Sequence, residues 1–480
     1  MKYLIGLDGG SQSTKVVIVD LDGKVVCRAR QPLQPLASPQ PGVAEHPDDD
    51  LWASTAAALR SALDKFPHPL TDLIGIGVCT IRCCRAELLK DGSLAAPVQN
   101  WIDERMSGPW QNSDPAITNV TTSSGYITHR LTGQRVDTAA NYEGPWPIDK
   151  TTGQWSEDPA LIAQFNVPRE ALFALQVPGS IAGGVSDDAA RVTGLPAGLP
   201  VVVTANDKAV EALGAGLHGA QPSTRGAALL SLGTYVGAMT ADAGYYPTAR
   251  YFFSNMAALP KQFLQECDGL RYGMGTVSRL IKLFGEDLQQ QAVGESLRAE
   301  EILNREAADI TPGADGLLAS PDWQTPARLL TQSNYTRAQL YRALLETIAL
   351  SMHNKLARMA EELDTKPTSI IVSGGGANSD LMLQIVADVT GLPTSRPALT
   401  DAAGLGSAIC AAVAVGAADN FEAAAKRMVR LSSRYNPDPE NHLFYCSLNE
   451  HIYRDLTDST DQLLQQWQSL PPSGQVSQPT

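Results

Sequence analysis

A strand–turn–strand pattern that occurs twice constrains the fold of this 480-residue chain more than any other feature. Residues 3–20 read YLIGLDGGSQSTKVVIVD, in which an apolar run, a turn of glycine and hydroxyl residues and a β-branched run follow one another. Residues 227–240 read AALLSLGTYVGAMT and repeat that order. Each pattern predicts a β-hairpin. Two such hairpins in distant parts of a chain of this length predict two similar α/β domains.

The rest of the chain supplies the helices and a third glycine turn. Residues 370–378 read IIVSGGGAN and precede the apolar-periodic residues 381–389, which predicts a strand, a glycine turn and a helix. Residues 336–363 carry apolar side chains at helical spacing and predict a long amphipathic helix. The polar, turn-rich residues 218–227 indicate a boundary between halves. We therefore predict domains at 1–222 and 223–435, followed by a C-terminal helix and a frayed tail at 436–480.

Charge and composition exclude several classes of function. Lysine and arginine total 37 and aspartate and glutamate total 51, so the formal net charge of −14 would repel a nucleic-acid backbone. The longest run of small apolar residues, 408–418, is shorter than the roughly 20 residues of a membrane-spanning helix and predicts a buried helix instead. No secretion signal is visible, and the seven cysteines show no C-x-x-C spacing. We expect a cytoplasmic protein with no nucleic-acid or membrane partner.

The first hairpin turn has the composition of a phosphate-binding loop. Glycine permits backbone conformations in which consecutive N–H groups form a concave nest that holds phosphate oxygens. An ordinary tight hairpin in which Asp8 caps the turn is the alternative. The spacing is not that of a Walker loop. The candidate nucleotide-binding residues of this turn are Asp8, Gly10, Ser11, Gln12, Ser13 and Lys15.

Two further glycine sites are candidates for the same ligand. The second hairpin turns at a Gly-Thr pair, although a lone pair of this kind is most often only a turn. Three glycines after the strand at 370–373 permit close approach of a flat or charged ligand to the backbone. The alternative there is a helix-entry loop that Asn378 caps. Together with the first hairpin, these sites predict a nucleotide clamped between two domains. The candidate residues are Gly233, Thr234, Gly374, Gly375, Gly376 and Asn378.

Asp207 is the candidate general base. The apolar run 199–203 predicts a strand, and a helical pattern begins at Lys208. Asp207 therefore lies at the carboxyl end of a strand, where ligands collect in open α/β sheets. The start of a helix favours the ionised carboxylate that a base requires. The alternative is that Asp207 only caps the helix, and the residues alone do not decide between the two.

Another strand end carries candidate substrate ligands. The apolar run 73–78 leads into Arg82 and Cys83. Arginine at a strand end can hydrogen-bond a polyol or offset an anion, although surface arginines are commoner. Trp101 and Asp103 combine an aromatic plate with a carboxylate, the mixture that sugar sites use, and the alternative is a core tryptophan.

Taken in order, these motifs resemble the FGGY family of carbohydrate kinases, within the hexokinase–actin class of two-domain ATPases. The resemblance extends over residues 2–430. It depends on the phosphate loop at 8–15, Glu45-His46-Pro47 with Trp52, the strand at 76–87, the W-x-D-x-R of 101–105, the R-L-T-G of 130–133, and 374–378 with Gln384.

The resemblance implies a fold, cofactors and roles for the candidate residues. The implied fold is two ribonuclease-H-like domains of the actin/hexokinase type with a central cleft. The implied cofactors are ATP and Mg²⁺, the partner is a small sugar or polyol substrate, and the assembly is a homodimer. Asp207 takes the position of the catalytic base, and Asp8 and Asp207 those of metal ligands. The implied substrate residues are Arg82, Cys83, Trp101, Asp103, Asn206 and Asp207.

Departures from the family pattern bear on the substrate. The stretch between Arg105 and Tyr126 is shorter than in glycerol kinases, and Arg82-Cys83 stands where those enzymes have an Arg-Glu pair. The Met-His pair typical of bacterial xylulokinases is absent as well. We therefore expect an ATP-dependent kinase acting on a ketopentose, ribulose- or xylulose-like, or on a polyol. A sugar-sensing regulatory protein of the same fold is the alternative, and a sugar-independent ATPase is a second one.

Overall fold

The computed structural model describes residues 1–144, 146–217, 226–233, 235–270, 273–319 and 335–456. Its first compact unit holds Met1–Leu229, Met239–Glu266 and Arg396–Ser432, and its second holds Leu230–Ala238, Cys267–Ser395 and the described residues from Ser433 onward. Both units are discontinuous in sequence, so they do not test the predicted linear domain boundaries, which stay predictions. Residues 218–225 of the predicted boundary and the predicted frayed tail lie outside the described residues.

The strands and helices mostly follow one another in runs of the same kind along the chain. The first part contains β1 (Tyr3–Gly9), β2 (Ser13–Asp20), β3 (Val25–Pro32), β4 (Glu45–His46), α1 (Asp50–Asp64), β5 (Leu73–Thr80), β6 (Ala86–Leu88), β7 (Val98–Gln99), β8 (Asn119–Thr121), α2 (Ser123–Thr132), β9 (Val136–Thr138), β10 (Ile148–Asp149), β11 (Gln154–Trp155), α3 (Pro159–Phe165), β12 (Ala174–Gln176), β13 (Ser180–Gly184), α4 (Asp187–Thr193), β14 (Pro200–Val203) and α5 (Asp207–Ala215). The remainder contains β15 (Ala227–Leu232), β16 (Val236–Asp242), β17 (Phe252–Met256), β18 (Phe263–Cys267), α6 (Gly273–Leu283), α7 (Gly285–Glu295), α8 (Ala299–Ala308), α9 (Arg337–Glu362), β19 (Ser369–Ser373), α10 (Asp380–Thr390), β20 (Thr394–Pro397), α11 (Ala402–Ala414), α12 (Phe421–Met428), β21 (Leu431–Tyr435) and α13 (Pro439–Leu448).

The main sheet of the first unit positions the candidate residues. Its six strands lie in the order β13-β14-β5-β1-β2-β3. β1 and β2 form the predicted first hairpin, with Asp8 opposite Lys15. β1, β5 and β14 run parallel to one another. Because parallel strands end at the same edge of a sheet, Asp8, Arg82 and Asp207 follow or terminate three neighbouring strands at one edge.

Helix α11 packs against this sheet in direct backbone contact. A Cβ atom at Gly6 of β1 would lie 1.8 Å from the carbonyl oxygen of Gly404. The hydroxyl of Ser407 donates to the carbonyl of Leu7 at 3.3 Å. This close approach explains why the sequence of α11 is rich in alanine and glycine, and it confirms the predicted buried helix. Among the helices that the structure describes, none is both long and apolar enough to cross a membrane.

The second unit contains the other glycine sites. β16, β15, β19 and β20 are consecutive neighbours in its sheet, with β19 and β20 parallel. β19 leads through a short 3-10 turn, Gly375–Asn378, into α10, as the sequence predicts. The long amphipathic helix is confirmed as α9, which begins with a capping box between Thr336 and Gln339.

Candidate active site

Asp207 lies where β14 ends and helix α5 begins. The N-cap of α5 is Asn206, whose Oδ1 accepts the backbone N–H of Ala209 at 3.0 Å. Asp207 is the first helical residue, and among the described residues its carboxylate accepts a hydrogen bond only from the N–H of Lys208, at 3.0 Å. The alternative that Asp207 merely caps the helix is therefore wrong. The neighbouring asparagine caps the helix and leaves the second carboxylate oxygen of Asp207 available.

Asn206 is itself held on both sides of its amide. Its Nδ2 donates to the carbonyl of Ala140 at 2.7 Å, while its Oδ1 makes the cap bond. From the same segment as Ala140, the hydroxyl of Thr138 donates to the carbonyl of Thr204 at 2.6 Å. These bonds fix the end of β14 that carries Asp207. The contact of Asn206 with a substrate stays a prediction that these occupied amide atoms do not favour.

Asp8 lies at the same sheet edge and is 5% exposed. Lys15 Nζ lies 3.2 Å from Asp8 Oδ2 and 3.8 Å from Asp401 Oδ1. Burial raises the pKa of Asp8 more than Lys15 lowers it, and Asp401 and Glu211 add to the increase. Among the described residues, hydrogen bonds reach the Asp8 carboxylate from Lys15 and, at 4.0 Å, the Cys79 thiol. The carboxylate is thus engaged by side chains, and the alternative in which Asp8 caps the hairpin turn is not observed.

The residues at the tip of the first hairpin divide into two groups. Ser11 and Gln12 are exposed at the tip. The N–H of Gly10 donates to the carbonyl of Ser13 at 3.1 Å, and the Ser13 hydroxyl accepts Nε of Arg30 at 2.9 Å. Ser11 and Gln12 therefore face solvent, whereas Gly10 and Ser13 build the turn. The nucleotide contacts of all four stay predictions.

Cations and carboxylates surround Asp207. Burial raises the pKa of Asp207; Lys208 and Arg82 oppose this rise, while Asp8 and Glu211 add to it. The net direction is upward, although the helix start alone favours the ionised form. Lys208 Nζ is paired with Glu211 Oε2 at 2.9 Å. A carboxylate whose pKa is raised accepts a proton more readily than an ordinary aspartate, which suits a general base.

Arg82 forms a two-point ion pair with Glu266 of β18. Arg82 Nη1 and Nη2 lie 2.8 and 2.6 Å from the two carboxylate oxygens, and Asn255 Nδ2 donates to Glu266 Oε2 at 2.7 Å. Glu266 is fully buried, and burial by itself raises its pKa. The ion pair and hydrogen bonds with Arg82 outweigh this effect, so the pKa of Glu266 lies below its ordinary value. The alternative that Arg82 is an ordinary surface arginine is wrong, because its side chain is largely buried and bound to Glu266.

Cys83 adopts a left-handed backbone conformation, with φ of 60°, directly after Arg82. Its thiol donates to the carbonyl of Glu143 at 3.8 Å. The Glu143 carboxylate in turn accepts Nζ of Lys150 at 2.8 Å. A positive φ is an unfavourable backbone conformation for a residue that carries a β-carbon, so the surrounding contacts must hold the loop in this shape. The contact of Cys83 with a substrate stays a prediction.

Trp101 and Asp103 have different environments. Trp101 is 39% exposed, so the alternative of a core tryptophan is wrong. Asp103 is buried, and its two oxygens accept the N–H and guanidinium of Arg105 and the N–H of Ala44 at 2.7 to 2.9 Å. The loop itself occupies the Asp103 carboxylate. Its contact with a substrate therefore stays a prediction that the geometry does not favour.

In the second unit, the glycine turn lies against the end of the second hairpin. A Cβ atom at Gly374 would lie 2.7 Å from the carbonyl carbon and oxygen of Leu232 and 3.1 Å from the N of Gly233. The N-cap of α10 is Ser379, whose hydroxyl accepts the N–H of Met382, so the alternative in which Asn378 caps the helix is wrong. Thr234 lies outside the described residues.

Sequence reasoning missed several charged residues of the first unit. Glu266 and Asp401 reach Arg82 and Lys15 from distant parts of the chain, and no local motif marks either of them. Asp137 is fully buried, accepts hydrogen bonds from Thr122, Thr138 and Asn141, and burial raises its pKa to about 6. In the sequence, the only indication of this buried carboxylate is its position shortly after the R-L-T-G element. Within the described residues, no group of three or more His, Cys, Asp or Glu side chains is arranged to hold a metal ion.

The fold and this site define a class, the phosphotransferases built from two actin-like domains. Two family models match the chain: FGGY family of carbohydrate kinases, N-terminal domain, over residues 3–114, and FGGY family of carbohydrate kinases, C-terminal domain, over residues 292–415. The chain is also 43% identical over 471 residues to a protein of Escherichia coli (strain K12), covering 96% of this chain and 95% of that protein, which is named uncharacterized sugar kinase YgcE. The chain belongs to the FGGY family of carbohydrate kinases.

Two more distant relatives have more specific names. An autoinducer-2 kinase of Escherichia coli is 24% identical over 515 residues, with 94% of each chain covered. A xylulose kinase from Rhodospirillum rubrum has a similar solved structure, with a TM-score of 0.78, 27% identity and coverage of 97% of this chain and 100% of that one. The predicted α/β fold with two actin-like domains is confirmed, as is the predicted enzyme class, a phosphotransferase with an alcohol group as acceptor. Membership of a kinase family implies ATP as a substrate.

Proposed function

We propose that this chain transfers the γ-phosphoryl group of ATP to a hydroxyl of a small uncharged sugar, a ketopentose or a polyol. The observation that carries the proposal is the environment of Asp207. Asp207 is a carboxylate at the start of a helix, and burial raises its pKa. Asn206 caps the helix, so the carboxylate of Asp207 does not serve as the cap. Such a group can take a proton from an attacking hydroxyl, which is the one acid–base step that phosphoryl transfer needs.

In the proposed reaction, Asp207 accepts the hydroxyl proton of the sugar. The sugar oxygen forms a bond to the γ-phosphorus, the bond from that phosphorus to the β,γ-bridging oxygen breaks, and ADP leaves. We assign Mg²⁺ to Asp8 and Asp207, since carboxylate oxygens suit this ion and it usually keeps several waters beside one or two carboxylates and substrate phosphates. When bound, Mg²⁺ neutralises phosphate charge. Lys15, paired with Asp8, adds a positive charge at the same edge.

The nucleotide contacts follow the glycine turns. Ser11 and Gln12 are exposed at the tip of the first hairpin and can donate to phosphate oxygens. In the second unit, a Cβ atom at Gly374 would lie 2.7 Å from the backbone of Leu232, so glycine at this position lets the turn pack against the second hairpin. Gly375 is exposed, and no described atom lies within 4 Å of its Cβ position, which permits a flat adenosine to lie against the turn there. We assign Gly233 and residues 374–378 to the nucleotide on this basis, and Thr234 on the family resemblance alone.

The relatives narrow the sugar without naming it. The similarity to the xylulose kinase of R. rubrum supports a ketopentose, while the autoinducer-2 kinase is a relative named for a different substrate. The test is a panel of ketoses, aldoses and polyols incubated with purified protein and ATP, with ADP release measured by a coupled assay. A ketopentose or polyol is expected to stimulate ADP release well above the rate without sugar. Equal rates with and without every compound would contradict the proposal.

The pH dependence of the reaction should report the raised pKa of Asp207. The base must be deprotonated, so kcat/KM for the sugar is expected to fall as the pH decreases through that pKa and to be constant above it. Because burial raises this pKa, the fall begins at a higher pH than an ordinary aspartate would give. In Lys208→Met, loss of the cation that lowers this pKa should move the acid limb to still higher pH. An acid limb that is unchanged in Lys208→Met would contradict the assignment.

The predicted homodimer stays a prediction. Light scattering coupled to size-exclusion chromatography of the full chain would measure its mass in solution. A mass twice that of the 51.1 kDa chain is expected.

A further inference from the structure

The cations of the charged cluster around Asp207 share one property: each is paired with a carboxylate. Arg82 and Lys208, which act on Asp207 directly, pair with Glu266 at 2.6 Å and with Glu211 at 2.9 Å, and Lys15 pairs with Asp8 at 3.2 Å, all in the first unit. Asp207 adds a further negative charge that none of these pairs contains. Among the described residues of this cluster, negative charge therefore exceeds positive charge.

The Arg82–Glu266 pair differs from the others in its burial and geometry. The side chain of Glu266 has no solvent exposure and that of Arg82 has 19%. Both terminal nitrogens of Arg82 are used on the two carboxylate oxygens, which is the bidentate arrangement that fixes a guanidinium in place. Asn255 supplies a third hydrogen bond to Glu266. The charge of Arg82 is thus offset inside the protein rather than by solvent or ligand.

We propose that Glu266 determines the charge selectivity of the sugar site by neutralising Arg82. This inference rests on the proposed function, in which Asp207 takes the proton of the sugar, and on the predicted contact of Arg82 with that sugar, which the electrostatic influence of Arg82 on Asp207 supports. An arginine without a carboxylate partner would bind a carboxylate of a substrate bidentately, as arginine does at anion sites. With Glu266 in place, a substrate carboxylate would have to displace a buried ion pair and face the other carboxylates of the cluster.

The alternative substrates are the sugar acids that correspond to the neutral sugars. An aldonate such as D-xylonate has the hydroxyls of a pentose and adds one negative charge. A hydroxyl group can accept a hydrogen bond from an N–H of Arg82 that does not point to Glu266, and the ion pair stays intact. An ionised carboxylate would lose its hydration on entering the site and find no unpaired cation in return. Wild-type protein should therefore prefer the neutral compound strongly, and Glu266 should be the residue that maintains this preference.

The experiment uses a ketopentose that the wild-type protein phosphorylates in the panel described above and compares it with D-xylonate and D-ribonate. The proteins tested are wild type, Glu266→Gln and Glu266→Asp. In wild type, kcat/KM for the ketopentose should exceed that for either aldonate by about 100-fold or more, the loss expected for an unpaired charge. In Glu266→Gln, which keeps the size but removes the charge, this ratio should fall by about tenfold or more, with aldonate turnover rising in absolute terms. Glu266→Asp keeps the charge and should retain the preference for the neutral sugar.

A purely structural role for Glu266 would give a different pattern. Both variants would lose activity on all compounds together, with the ratio unchanged, and that result in folded Glu266→Gln protein would overturn the proposal. If Glu266→Gln does not fold, the double variant Arg82→Gln/Glu266→Gln removes both charges of the pair. It should show no gain of aldonate turnover, and a gain there would overturn the proposal because Arg82 would not be needed for it.

The failure of this inference can be distinguished from the failure of the proposed function. Wild-type protein that phosphorylates an aldonate as efficiently as a ketopentose, through a reaction that Asp207→Asn abolishes, would overturn the selectivity role of Glu266 and leave the kinase assignment intact. No turnover of any ketose, polyol or aldonate, with ATP binding intact, would overturn both.

Discussion

The Asp207→Asn variant is expected to lose about 10²- to 10⁴-fold in kcat for the sugar, the usual contribution of a positioned general base. Asparagine keeps the shape of the side chain and still accepts the N–H of Lys208, but it cannot take a proton at neutral pH. The candidate nucleotide contacts lie on other residues, and Asp8 remains as a carboxylate ligand for Mg²⁺, so binding of ATP should change little. Steady-state kinetics with a coupled assay would measure kcat, and calorimetry would measure the affinity for ATP.

The chain contains a matched control for this substitution. Asp187 is the first residue of α4, directly after the N-cap Ser186, as Asp207 is the first residue of α5 after Asn206. Unlike Asp207, Asp187 is exposed, and it lies outside the cluster of charged residues. Asp187→Asn should therefore lose the same small helix-end interaction and no activity. If Asp207→Asn retained a kcat close to that of Asp187→Asn, Asp207 would not be the base.

Local sequence patterns predicted the parts of this site that depend on neighbours in the chain. The hairpin of β1 and β2 and the turn between β19 and α10 were visible because glycine, hydroxyl residues and apolar runs set backbone conformation within a few residues. The position of Asp207 at a strand end followed from the change of hydrophobic period there. The sequence left its capping role open, because Asn206 and Asp207 are both good N-cap residues and only the backbone geometry selects one.

Contacts between distant segments could not be predicted in this way. Glu266 lies in the fully buried strand β18 and its partner Arg82 is 184 positions away, so no local pattern links the two residues. The same limit applies to the predicted substrate contact of Asp103. Its carboxylate accepts hydrogen bonds from Arg105 and from Ala44, which lies in another segment of the chain. A residue type at a suitable position indicates which chemistry is available. Whether its polar atoms are free for a ligand depends on partners that the fold brings from elsewhere.

The Gly374→Ala variant is expected to lose both stability and affinity for ATP. Gly374 has φ of 79°, a conformation that costs other residues of order 1–3 kcal/mol, and its new Cβ would lie 2.7 Å from the backbone of Leu232. Two rigid backbone segments cannot both keep their positions at that distance, and overpacking of this kind adds about 1–3 kcal/mol. We expect a loss of about 2–6 kcal/mol in the free energy of unfolding and a clear increase in KM for ATP.

Two other glycines of the same unit separate the causes of this loss. Gly316 has φ of 89°, but no atom of the described residues lies within 4 Å of its Cβ position, so Gly316→Ala measures the backbone strain alone. Gly375 has no positive φ and likewise no neighbour within 4 Å in the described part of the chain, so Gly375→Ala should leave the melting temperature unchanged. The order of melting temperatures should therefore be Gly375→Ala, then Gly316→Ala, then Gly374→Ala as the lowest. Only the last variant forces the glycine turn away from Leu232 and Gly233, so only there should the melting temperature and the affinity for ATP fall together. If Gly374→Ala had the same melting temperature as Gly316→Ala and bound ATP like wild type, the contact of the glycine turn with Leu232 and Gly233 would not form part of the nucleotide site.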